Sequence, residues 1–202
     1  PPPPPRSLPC VTASSNRASS RRSLIVGGDE VIPFDHPWLV TLEYSNDDGS
    51  HFCGGSLIAP KWVVTAAHCT ENASASSLAV GVHKHGLYAD DPCHACTESI
   101  DAKTVIIHAG YDSSTMVNDI ALIELERAVT CVDEIDFPWL DDGTYSTAGT
   151  TVKSAGWGAL TEQGRYSYSY VPPEYPDALH SVEVEVVAHD QCNANSAYAG
   201  AI

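Results

Sequence analysis

Basic residues are scarce in this chain: ten Lys and Arg stand against 26 Asp and Glu, for a formal net charge of -16. Four of the ten, Arg6, Arg17, Arg21 and Arg22, precede Ser23 in a stretch with no acid, which leaves six basic against 26 acidic residues in the rest. A body of that charge repels phosphate backbones, so a nucleic-acid partner is excluded and the acids read as a solvated surface. Long apolar runs are missing as well. None approaches the roughly 18 residues that a membrane-spanning helix needs, so no membrane role is expected. Methionine occurs once, at Met116, and the first residue is Pro1, so the sequence reads as starting downstream of an initiator and any signal peptide. Helical periodicity is nearly absent too, although 43% of the residues are hydrophobic, enough for a core.

What is present divides the chain unevenly. Residues 1–24, opening "PPPPPRSLPCVTASSNRASSRRS", are rich in Pro, Ser and Arg and read as a disordered, leader-like segment. From Ile25 onward short β-type runs alternate with turn signals: "WLVTLEY", "SLIAP", "KWVVTAA", "LAVGV", "KTVIIH", "DIALIEL", "TVKSAGW" and "SVEVEVV". In the last run Val182, Val184 and Val186 alternate with polar residues, the pattern of a strand buried on one face. Many short strands predict an all-β barrel or sandwich. Acids, Pro138 and Gly143 interrupt the rhythm across residues 126–146, which marks a junction between units at about 25–135 and 145–202.

The seven cysteines, at 10, 53, 69, 93, 96, 131 and 192, cannot all pair within the chain. Cys53 and Cys69 flank the strand Lys61 to Thr65, and closing that loop stabilises by about 3 kcal/mol. Disulfides suit a secreted protein, and the sequon Asn72-Ala73-Ser74 predicts N-glycosylation of Asn72 in the same compartment. The segment "HKHGLYADDPCHAC", residues 83–96, offers His83, His85, Cys93, His94 and Cys96 as a zinc shell, with a Cys93–Cys96 disulfide as the alternative. An oxidising compartment favours the disulfide, so no metal or cofactor is expected.

Two residues carry candidate chemistry. "VVTAAHC" places His68 after an apolar run, behind two alanines too small to obstruct its ring. "NDIALIEL" places Asp119 before a run apolar enough that a buried carboxylate needs a partner. A base and an acid that fixes its tautomer are two parts of the machinery for cutting peptides by a nucleophilic serine.

"IVGG" at 25–28, "CGGSLI" at 53–58, "TAAHC" at 65–69, "NDIAL" at 118–122 and "GWG" at 156–158 resemble, in type and order, the chymotrypsin and trypsin family of serine proteases. The resemblance covers about Ile25 to Cys192. It implies two antiparallel β-barrels with the site between them, His68 as general base and then acid, Asp119 as its orienting carboxylate, and protein or peptide substrates. It also implies a Cys10–Cys131 disulfide tethering the leader, with Cys192 as the other partner open to Cys10. Cutting before Ile25 would free an amine that pairs with a buried acid, and an activating protease would be a partner. Leu24, not Arg, precedes Ile25, so a tryptic cut after Arg22 leaves two extra residues.

The family's nucleophile lies in a "GDSGG" segment, which residues 1–202 lack, and the usual partner of Cys192 lies beyond Ile202. The sequence therefore reads as a serine endopeptidase with a truncated second barrel of two or three strands, their open edges prone to recruit another chain. As written it is predicted inactive. The alternative is a non-catalytic, secreted homologue acting as a binding or adaptor protein. Residues 162–178, "EQGRYSYSYVPPEYPDA", read as a flexible surface loop.

Overall fold

Alternating apolar residues build the larger unit. In the computed structural model, which describes residues 28–45, 50–87, 96–160 and 175–194, six strands close into a barrel. They are β2 (Leu39–Tyr44), β3 (His51–Ala59), β4 (Trp62–Thr65), β5 (Leu78–Val82), β6 (Glu98–Ile107) and β7 (Ala121–Leu125), in the order β2-β3-β4-β7-β6-β5. Every neighbouring pair is antiparallel, and β2 pairs with β5 to close the ring. Val40, Leu42, Val63, Val80, Val82, Ile123 and Leu125 point inward and are almost fully buried, because every second residue of a closed sheet faces its interior.

Gly55 is a packing glycine in this barrel. A Cβ there would lie 2.8 Å from Val63 Cγ1 and 3.0 Å from the Val64 carbonyl oxygen, so only a hydrogen lets β3 approach β4 this closely.

The outer face of β2 is polar but also covered. Thr41 and Glu43 are buried, and the Glu43 carboxylate accepts hydrogen bonds from Thr41 Oγ1 and from the Lys84 ammonium. Gly81 on β5 makes the room: a Cβ there would meet Thr41 Oγ1 at 2.2 Å and Glu43 Oε1 at 2.5 Å. A buried carboxylate stays charged only with such partners.

The smaller unit is a three-stranded antiparallel sheet ordered β1-β9-β8, from β1 (Asp29–Glu30), β9 (His180–Glu185) and β8 (Thr151–Gly156). A helix, α1 (His189–Ala194), follows β9. The pairing of β1 with β9 takes residues 29–30, read from sequence as part of the first-barrel segment, into this second sheet. The valines of β9 are not a buried face: among the described residues Val184 is exposed and Val182 only partly covered.

One carbonyl stitches the two units together. The His85 oxygen, just past β5, accepts from both the Leu179 amide and Trp157 Nε1, and Val31, Trp157 and Leu179 form a small apolar core there. Among the described residues no helix is long and apolar enough to cross a membrane.

Candidate active site

Strand register brings the two candidate residues together. Thr65, the last residue of β4, pairs with Ala121, the first of β7. The chain runs three residues past Thr65 to His68 and reaches Asp119 two residues before Ala121, so antiparallel pairing sets them at the same barrel end. His68 sits on a one-turn 3-10 helix, Ala67–Cys69, with Ala67 buried beneath it. The Cys53–Cys69 disulfide ties the next residue to β3.

Asp119 is held from its own side. Asn118 adopts a left-handed backbone (φ 57°), which asparagine tolerates, and its amide donates to the Gly110 carbonyl. The Ile120 amide then donates to the Asn118 oxygen.

The contact between them is bidentate. Asp119 Oδ1 accepts the His68 backbone N–H at 2.8 Å, and Oδ2 lies 2.7 Å from His68 Nδ1. The His68 side-chain and backbone hydrogen bonds hold the Asp119 carboxyl below the usual carboxylate range. An ionised carboxylate only accepts, so Nδ1 carries the proton and Nε2 of the neutral ring keeps its lone pair. The His68 side chain is 47% exposed against 21% for Asp119, so the ring is open to a reactant while its partner is shielded. Besides Asp119, the ring touches Cys69 Sγ, 3.5 Å from Nε2. Among the described residues no serine hydroxyl hydrogen-bonds to it.

A groove of about 750 Å³ runs between β3 and β8, lined among others by His51, Phe52, Cys53, Ser56 and Trp157. Cys53 lines the groove and is bonded to Cys69, the residue that follows His68; His68 and Asp119 are not among its lining residues. The His51 ring meets Trp157 edge-on at 5.8 Å, and burial pushes the imidazole below its ordinary value, against an opposing pull from Glu43. Sequence reading did not single out His51. Its only signal is cross-strand pairing with Glu43, which no local pattern reveals.

The cysteine framework differs from expectation in one respect. Cys53–Cys69 forms, whereas Cys131 pairs with Cys96 across a Cα–Cα distance of 5.6 Å. A sulfur joins one disulfide, so this bond replaces both the Cys10–Cys131 and the Cys93–Cys96 pairings. The cause is register: β6 and β7 pair side by side, and Glu98 accepts from the Thr130 amide and hydroxyl and pairs with Arg127, which lays Cys131 against Cys96. The same bond removes Cys96 as a zinc ligand, and His85 is engaged by Glu30. Cys192 is a free thiol. Asn72 is exposed in a turn. Cys10, Cys93, His94 and the activation residues Arg22, Leu24 and Ile25 lie outside the described residues, as does most of the 162–178 insert.

The family model for trypsin matches residues 25–202. This chain belongs to the trypsin family. As a trypsin-family chain it is 36% identical over 178 residues to each of two Gallus gallus proteins, trypsin I-P1 and trypsin I-P38, which covers 88% of this chain and 63% of theirs. It is 34% identical over the same length to a Xenopus laevis trypsin, covering 64% of that protein. The chain thus spans somewhat less than two thirds of the length of these trypsins. The all-β architecture with a closed six-stranded barrel agrees with the chymotrypsin-like fold that the motifs imply.

Proposed function

We propose that this chain carries the base and carboxylate of a secreted serine endopeptidase, His68 taking a proton at Nε2 and Asp119 fixing the ring through Nδ1. The bidentate Asp119 contact supports this reading, since it occupies Nδ1 and leaves Nε2 of a half-exposed ring as the nitrogen that can accept a proton. In acyl transfer a serine Oγ attacks the peptide carbonyl, its proton passes to Nε2, and the imidazolium formed is stabilised by Asp119. The same proton then goes to the departing amine. Substrates are proteins or peptides, which would lie in the groove walled by Cys53 and Trp157. The strongly acidic body disfavours nucleic acid. Cleavage within Arg22–Ile25 by another protease would expose the new amine, two disulfides suit an extracellular setting, and Asn72 carries an N-glycan.

Residues 1–202 contain no Gly-Asp-Ser-Gly-Gly segment and no described serine bonds to Nε2, which supports the reading that this segment is inactive by itself. That observation also supports a second reading, a non-catalytic binding homologue. The test compares purified residues 1–202 with a longer chain carrying a nucleophile segment after Ile202, using casein and a fluorogenic peptide. Turnover is expected only from the longer chain, falling on the order of 10⁴-fold or more with His68→Ala. Turnover by residues 1–202 that His68→Ala removes refutes the inactivity. A longer chain that is silent on both substrates but binds a protein ligand establishes the second reading.

A further inference from the structure

We propose that the Asn72 glycan, on the turn that follows His68, limits the size of molecule that reaches the imidazole. The proposal rests on the glycosylation of Asn72 stated above and adds its consequence. From His68 to Asn72 the chain takes four steps of about 3.8 Å, an upper limit near 15 Å that turns shorten further. Turns occupy this whole stretch: the Thr70 and Glu71 amides both donate to the Ala67 oxygen, and the Ala73 amide donates to the Thr70 oxygen.

Both ends of the turn are fixed. Cys69 is bonded to Cys53, Thr70 is buried with its hydroxyl on the Ala67 oxygen, and Ala73 and Ala75 pack against the barrel core. The sequon therefore alternates, with Asn72 and Ser74 outward and Ala73 inward. Among the described residues the Asn72 amide makes no hydrogen bond, so a glycan there displaces no contact. Bulky, hydrated sugar on a fixed turn beside a half-exposed imidazole obstructs a large body more than a small one.

The experiment uses the chain expressed through an oxidising secretory pathway. Peptide N-glycosidase treatment should shift its mobility and convert residue 72 to aspartate in the peptide map, while Asn72→Gln and Ser74→Ala should both abolish the shift. Solvent paramagnetic broadening of the His68 ring signals then reads access without requiring activity. A small free nitroxide should broaden them equally in glycosylated and enzymatically deglycosylated protein, and a dextran-linked nitroxide only after deglycosylation. Deglycosylating folded protein avoids variants that misfold. An unoccupied Asn72 overturns both the glycosylation and the shield. Occupied Asn72 with equal broadening by the dextran probe in both forms overturns the shield alone.

Discussion

Deleting the Cys53–Cys69 bond tests how much closing the loop that carries His68 stabilises the fold. The bond closes a 16-residue interval, and constraining a loop of that size stabilises by about 3 kcal/mol. A domain is stable by roughly 5–15 kcal/mol, so the loss is a large share of the total. The second disulfide, Cys96–Cys131, closes 35 residues, for which the same relation gives about 4 kcal/mol. Paired alanine substitutions, made where Cys10, Cys93 and Cys192 are serine so that no other pairing forms, should therefore differ in a set order. Cys53→Ala with Cys69→Ala should lower a urea midpoint by about 1.5 M at a slope near 2 kcal/mol per M, and Cys96→Ala with Cys131→Ala by about 2 M. Urea unfolding followed by Trp fluorescence reads both. The His68 backbone bond to Asp119 does not involve the disulfide, so the site should survive in the folded fraction. A loss below about 1 kcal/mol for the first pair, or a reversed order, refutes loop closure as the source of this stability.

Three further outcomes follow from the barrel. Gly81→Ala drives a Cβ against Thr41 Oγ1 and Glu43 Oε1, so thermal melting should show a loss of about 1–3 kcal/mol. Lys84→Met leaves Glu43 buried without its cation and should cost about 3–5 kcal/mol in chemical denaturation, with Glu43→Gln in the same chain recovering part of it. Because burial lowers the folded-state His51 pKa, the unfolded chain binds the proton first. Stability should fall as pH drops below the ordinary histidine range, with a slope of at most about 1.4 kcal/mol per pH unit that levels off once folded His51 also protonates. His51→Gln should flatten that part of the denaturation profile.

Local pattern made most strands readable and left pairing hidden. All eight β-type runs became strands because each carries its own alternation or β-branched content. The first halves of β3 and β6 were not legible: Gly54 and Gly55 look like a turn, although Gly55 permits close strand contact, and "ESIDA" hides Ile100 and Ala102 among polar residues. Strand β1 exists only through its distant partner β9. The Cys96–Cys131 bond was illegible for the same reason, since cysteine spacing does not encode the register of β6 on β7. The position of His68 and Asp119 could be read from motifs, yet their approach depends on Thr65 pairing with Ala121.

The most direct measurement is the tautomer of the His68 ring, read from the ¹⁵N shifts of both ring nitrogens at a pH where the imidazole is neutral. A protonated Nδ1 and a pyridine-like Nε2, lost in Asp119→Asn, are the predicted result. A proton residing on Nε2, or an averaged ring unaffected by that substitution, contradicts the assignment of this pair as base and orienting carboxylate.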